Sequence, residues 1–273
     1  MGKKIIKSIK GGQQNIPDYL RDLWKAKKLI YIFAARDLKV QYAQTFLGLL
    51  WSVIQPLTAL AIFSLFFQRV VHLQLNAPYT AFVFTGILGW FYFTSLVGQA
   101  GTSLMHNQQL IRKIHFPRMV LPLSKALAGL VEFGISLLIL IVVLVCTKTE
   151  FSYKIILLPI AILANIIAGL SVGIWLSALT IRFRDLHHLI PFLIGFGIWL
   201  TPVFYPVTIV PERFSWIYYL HPAASVIALY RFIFLNMPMN EAHVFISLAL
   251  ATGLLVTGFI FFVRNEKFIS DYI

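Results

Sequence analysis

Charge is absent from five long stretches of this chain. Between Lys39 and Arg69 lie 29 uncharged residues, between Arg69 and Arg112 lie 42, and between Lys154 and Arg182 lie 27. Asp185 to Glu212 encloses 26 more, and Glu241 to Arg264 encloses 22. A membrane-crossing helix needs about 20 apolar residues. In lipid the backbone has to satisfy its own hydrogen bonds, which favours helices. The pattern therefore predicts an all-α membrane protein with six transmembrane helices near 46–68, 79–104, 122–146, 155–181, 187–204 and 242–263. Gln55-Pro56 predicts a kink inside the first. The third is unusual in holding Lys125 and Glu132.

Two regions depart from this rhythm. From Pro17 to Leu38, apolar residues recur near helical spacing (Leu20, Leu23, Trp24, Ile30, Tyr31, Ala34, Leu38), with Arg21, Lys25, Lys28 and Arg36 mostly between them. That predicts an N-terminal amphipathic interfacial helix in the headgroup plane. Residues 1–38 then form the cytoplasmic N-terminus with that helix, and 39–273 a six-span membrane domain. Between Arg213 and Arg231 lie 17 uncharged residues interrupted by His221-Pro222. They predict re-entrant half-helices between the fifth and sixth spans, Phe214–Leu220 and Ala223–Phe234, dipping into the outer leaflet.

The segment Met105–Pro122, MHNQQLIRKIHFPRMVLP, carries Arg112, Lys113 and Arg118 with no acidic residue. Asn107 is positioned to cap a short helix, and Pro117 bars helical geometry at Phe116, so the helix is about two turns long. Pro122 suits the first turn of the next helix. The product is a short, basic, stiff loop with Leu110, Ile111 and Phe116 as apolar knobs.

Composition agrees: 59% of the 273 residues are apolar and 12% charged, with a formal charge of +13. With six spans, 18 basic residues fall on the side of the termini and five (Arg69, Lys148, Lys154, Arg213, Arg231) on the other. The positive-inside rule then accounts for the charge without nucleic acid, and puts both termini, the basic loop and the Arg182–Asp185 turn beside it in the cytoplasm. The lone Cys146 excludes a disulfide framework or cysteine metal cluster. The basic N-terminus lacks an early apolar core with a small-residue cleavage site, so no removable signal peptide is expected.

Chemistry-bearing motifs are missing. There is no G-x-x-x-x-G-K-[ST] phosphate loop, no H-E-x-x-H and no G-x-S-x-G, so neither ATP binding by that route nor those hydrolytic chemistries is expected. Glu132 lies about ten residues past Pro122, roughly 15 Å deep at helical rise. Lys125, seven residues away on nearly the same face, is its candidate partner, and a role for Glu132 in gating or transport is the other reading. His187-His188 point about 100° apart on a helix and have no third ligand nearby, so no metal site is expected. A membrane-embedded transferase would need paired acids or a partnered histidine base, and an ion-coupled transporter more buried ionisable groups or inverted repeats.

Two stretches, ARDLKVQYAQTFLGLLWSVIQPL (Ala35–Leu57) and LIRKIHFPRMVLP (Leu110–Pro122), resemble the permease subunit of ATP-binding cassette (ABC) exporters of lipid-linked polysaccharide, those of O-antigen, capsule and teichoic acid. This chain has Gln41 where such permeases often carry a basic residue. The resemblance implies a non-enzymatic permease homodimer in the bacterial plasma (inner) membrane, with no cofactor of its own. Two copies of a separate ATPase would bind ATP and Mg. Asn107–Phe116 becomes the coupling helix, with Leu110, Ile111 and Phe116 as anchors and Arg112 and Lys113 meeting acidic residues. Arg36 and Lys39, level with lipid headgroups, become contacts for an undecaprenyl diphosphate. Trp51, Phe192, Phe196, Trp199 and Tyr205, on the first and fifth spans, become a channel on which sugar rings stack. Trp216, Tyr218, Tyr219 and His221 become an exit lid. An ABC permease for a drug or lipid, or an ion-coupled membrane transporter, is the alternative reading.

Overall fold

The computed structural model describes residues 15–43, 48–70, 77–150, 152–183, 185–214, 216 and 220–272. Within them the chain is helical, with no strand. In order come α1 (Ile16–Lys25), α2 (Lys27–Tyr42), α3 (Trp51–Val70), α4 (Tyr79–Gly101), α5 (Ser103–His106), α6 (Gln108–Lys113), α7 (Val120–Cys146), α8 (Leu158–Arg182) and α9 (Leu186–Leu200). After two short 3₁₀ turns follow α10 (Pro222–Leu235) and α11 (Glu241–Tyr272).

Four stretches are long and apolar enough to cross a membrane: Tyr79–Gly101, Val120–Cys146, Tyr153–Arg182 and Glu241–Glu266. Trp51–Phe66, Leu186–Leu200 and Pro222–Leu235 are apolar but shorter. α3 continues as helix on both sides of Pro56. The centre of the bundle is α4. In its most apolar window 78% of residues are buried by protein, against 17% in α11. α4 packs on α8, α7, α10, α3 and α9.

Small residues allow the closest of these approaches. Gly169 and Gly173, four apart on α8, meet Leu96 and Ala100 of α4, where an added Cβ would come within 2.6 Å and 2.9 Å. Lipid tails are as apolar as leucine, so membrane helices associate by such close packing and not by exclusion from water.

The N-terminal region differs from a single interfacial helix. A tight turn at Ala26, where Leu29 N–H donates to the Ala26 carbonyl at 2.8 Å, divides it into α1 and α2. The two have different seats. α1 buries Tyr19 against Phe259 of α11, and α2 packs along α7. One helical turn of α2 leads from Asp37, beside Lys125, to Gln41, beside Glu132.

The region after α9 also departs from expectation. α10 is the second predicted half-helix, ending at Asn236 in the left-handed conformation. It is buried against α4, α8 and α11. The first predicted half-helix falls largely outside the described residues. Arg231, expected as a boundary charge, is buried within α10. Its Nη2 donates to the Val203 carbonyl at 2.6 Å, and its guanidinium sits 3.6 Å from the centre of the Phe82 ring. Tyr79 Oη donates to the Phe204 carbonyl at 3.0 Å, so the loop after α9 is clamped onto α4 from both sides.

Candidate functional site

The basic loop is a finger of three parts. α5 and α6 are separated by Asn107, and an extended segment follows from Ile114, where the backbone turns to φ −129°, ψ 134° ahead of Pro117. Asn107 occupies the residue before α6, but its side chain does not cap the helix. Its Nδ2 donates to the Ser103 carbonyl at 2.8 Å, and its Oδ1 accepts from Arg36 Nη2 at 2.8 Å. The helix ends at Lys113, two residues sooner than Pro117 alone requires, because the backbone already turns extended at Ile114.

The finger is seated by one face. Leu110 and Ile111 are half-buried against the core. Phe116, expected as an outward anchor, is buried and meets Phe33 of α2 edge-on at 5.5 Å. Packing the ring on Phe33 takes its apolar surface out of water, which display at the tip would not. Arg112, Lys113, His115 and Ile114 face outward, with Ile114 53% exposed. Ile114 is therefore the apolar group at the tip, and only its position beside the two cations would have marked it in sequence.

Behind the finger lies an ionic seat. Arg36 donates through Nε and Nη2 to Asp37 Oδ1 at 3.0 Å and 2.7 Å. Lys125 Nζ approaches Asp37 Oδ2 to 2.7 Å, a charge contact rather than an aligned hydrogen bond. Lys125 is thus not the partner of Glu132, which accepts on Oε1 from Gln41 Nε2 at 2.5 Å and from Tyr42 Oη at 3.3 Å. The reason is proximity: α2 places Asp37 directly over Lys125, whereas two turns of α7 separate Lys125 from Glu132. Arg36, expected at a lipid phosphate, is engaged with Asp37 and Asn107, while Lys39 is exposed.

Asp37 and Lys125 are each 14% exposed. Removing the carboxylate leaves a sheltered ammonium uncompensated, which costs about 3 kcal/mol. Asp37→Asn should accordingly lower the thermal unfolding midpoint of the detergent-purified protein, and Lys125→Met in the same chain should recover most of the loss.

A second attachment lies on the other side of the finger. Arg118 N–H donates to Glu266 Oε1 at 2.8 Å, and its guanidinium reaches the Glu266 carbonyl. Tyr19 Oη accepts from Met119 N–H at 3.2 Å. Burial, and then the neighbouring Glu266 carboxylate, hold the Tyr19 hydroxyl far above its ordinary pKa, so it stays protonated and donates to Glu266. The finger is tied both to α2 and to the junction of α1 with α11. His106 meets His187 edge-on at 5.8 Å, which brings the start of α9 beside the finger. Burial first, then His187 and Lys125, push the His106 pKa below its usual value. Among the described residues no group of three His, Cys, Asp or Glu converges on a metal position.

Phe192, Phe196 and Trp199 form an exposed row on α9, with the two phenylalanine rings 4.5 Å apart. Trp199 meets Phe204 at 5.1 Å and Phe63 of α3 at 6.4 Å. Tyr205 Oη donates to the Trp199 carbonyl at 3.0 Å. Trp51 is half-exposed at the opposite end of α3. Trp216 is exposed, whereas the His221 ring lies 6.1 Å from Trp90 and 5.8 Å from Phe93, inside the bundle. Tyr218 and Tyr219 lie outside the described residues.

Taken together, these features define a multi-pass helical membrane protein whose helices are bound to a short basic finger at one end. The chain belongs to the ABC-2 type transporter family, which it matches over residues 28–235. It is 33% identical over 230 residues to the O-antigen export system permease protein RfbA of Klebsiella pneumoniae, covering 84% of this chain and 88% of that protein. It is 28% identical over 254 residues to the RfbA permease of Myxococcus xanthus, covering 91% and 97%. The polysialic acid transport protein KpsM of Escherichia coli is 24% identical over 203 residues, covering 72% and 77%.

Proposed function

We propose that this chain is the membrane permease subunit of an ABC exporter that moves a lipid-linked polysaccharide across the bacterial plasma membrane. α3, α4, α7, α8, α9 and α11 serve as the six spans, and both termini and the finger face the cytoplasm. Two copies form the permease and two copies of a separate ATPase, holding ATP and Mg, supply the work. The observation that carries this reading is the finger. It shows Arg112, Lys113 and Ile114 outward and is tied inward to α2, α7 and α11. That is the build of a part receiving force from a partner and distributing it to the membrane helices. The names of the relatives supply the polysaccharide.

Within this reading Lys39, exposed at the end of α2, meets the lipid diphosphate, and Arg36 holds the finger. Phe192, Phe196, Trp199 and Tyr205, with Trp51, line the path across which the glycan slides between the two copies. Deleting the gene should remove the long-chain glycan from the cell surface, with lipid-linked glycan accumulating inside. A plasmid copy should restore export. Immunoblots of surface and total glycan check this, and unchanged surface glycan in the deletion strain would overturn the reading.

A further inference from the structure

Building on the export reading above, we propose that the cavity enclosed by α2, α3, α4 and α7 is a binding site for a single sugar ring of the lipid-linked glycan, recognised through Glu132. The cavity holds about 240 Å³, below the roughly 300–1,000 Å³ typical of sites for drug-sized ligands. Its size suits one ring rather than a chain.

The lining specifies the chemistry. Gln41, Tyr42, Gln55 and Glu132 contribute polar groups, and Trp51 and Tyr92 contribute aromatic walls. Both donors to Glu132 land on Oε1. Among the described residues none donates to Oε2, which leaves an acceptor of full hydrogen-bonding strength. A carboxylate oxygen is an acceptor only, and hydroxyl donors make short, charge-assisted hydrogen bonds to it. Pyranose rings carry adjacent hydroxyls on their edge and C–H groups on their face, matching a carboxylate edge and an aromatic wall.

Charge excludes the other half of the substrate. A diphosphate would be repelled by Glu132, and the neutral amide of Gln41 places no cation beside that carboxylate. The lipid phosphate belongs outside the cavity, near Lys39, and the sugar belongs within it. α2 supplies the link to transport. Gln41 stands one helical turn beyond Asp37, and Arg36 is bonded to Asn107 of the finger. Displacement of the finger therefore shifts the wall that holds Glu132, and the sugar contact would be made and broken in step with it.

The test uses the permease with its ATPase in lipid nanodiscs. The probes are a short-chain polyprenyl diphosphate, bare or carrying one glucose, galactose, mannose or N-acetylglucosamine. Hydrogen bonds to a charged group contribute enough for roughly a tenfold gain in affinity. At least one sugar-bearing lipid should bind the wild type about tenfold more tightly than the bare lipid. Glu132→Ala, and the near-isosteric Glu132→Gln, should reduce that difference, with affinity for the bare lipid unchanged. If the sugar-dependent difference survives in both variants, or no sugar improves on the bare lipid, the cavity proposal fails while the export reading stands. If the wild type binds none of the lipids, both fail together.

Discussion

Reversing both charges at the finger tip, Arg112→Glu with Lys113→Glu, should abolish export while leaving the protein folded in the membrane. Both side chains are exposed and make no hydrogen bond or ion pair with the described residues of their own chain. Exposed substitutions of this kind usually alter stability by less than about 0.5 kcal/mol. Their effect falls on the partner. If the ATPase presents acidic groups to the finger, reversal sets like charges against each other at a cost of several kcal/mol, or a loss of affinity on the order of a hundredfold or more. Co-purification of the ATPase with the tagged permease should be lost, and surface glycan should fall to the level of the deletion strain. Ile114→Ser, which removes the apolar tip alone, should weaken co-purification less. Wild-type export by the double variant would mean that the force enters elsewhere.

How much of this was legible in sequence depends on what a membrane forbids. Charge is costly in lipid, so the uncharged runs marked most spans directly: α4, α8 and α11 stand where those runs lie, while α7 carries Lys125 and Glu132 inside an otherwise apolar stretch. The finger was legible because Pro117 restricts the residue before it and cations cluster ahead of it. The seat behind it was not. Asp37 and Lys125 are 88 positions apart, and nothing local told whether Lys125 would choose Asp37 or Glu132; the climb of α2 along α7 decided it. Phe116 was misread for a similar reason, since an apolar residue in a polar loop looks identical whether it anchors a partner or packs on Phe33. Arg231 looked like a boundary charge because it ends an uncharged run. Its carbonyl acceptor and its ring, Val203 and Phe82, come from other segments. The Gly169-x-x-x-Gly173 spacing was a signal present in the sequence for the α4–α8 contact.

The clamp around Val203 carries the other large expected effect. Gly86 of α4 lies so close to the loop after α9 that an added Cβ would stand 2.3 Å from the Val203 carbonyl oxygen. That oxygen is backbone and is already held by Arg231, so it has nowhere to retreat. Overpacking a well-filled core costs about 1–3 kcal/mol even where side chains can adjust, and here the obstacle is main chain. Gly86→Ala should therefore push the loop off α4, break the Arg231 and Tyr79 bonds, and displace Trp199 and Tyr205 from the end of the aromatic row. The expected result is a marked fall in monodisperse protein on size exclusion, a lower unfolding midpoint, and little export. Gly134→Ala is the matched control, because an added Cβ there meets nothing within 4 Å; alanine also favours helix over glycine by about 1 kcal/mol. Arg231→Met separates the two halves of the clamp. It keeps the apolar bulk over Phe82 but leaves the Val203 carbonyl without its donor, a loss of about 1–3 kcal/mol. If Gly86→Ala behaved like Gly134→Ala, the loop would be free to move away from α4, and its hold on the aromatic row would be refuted.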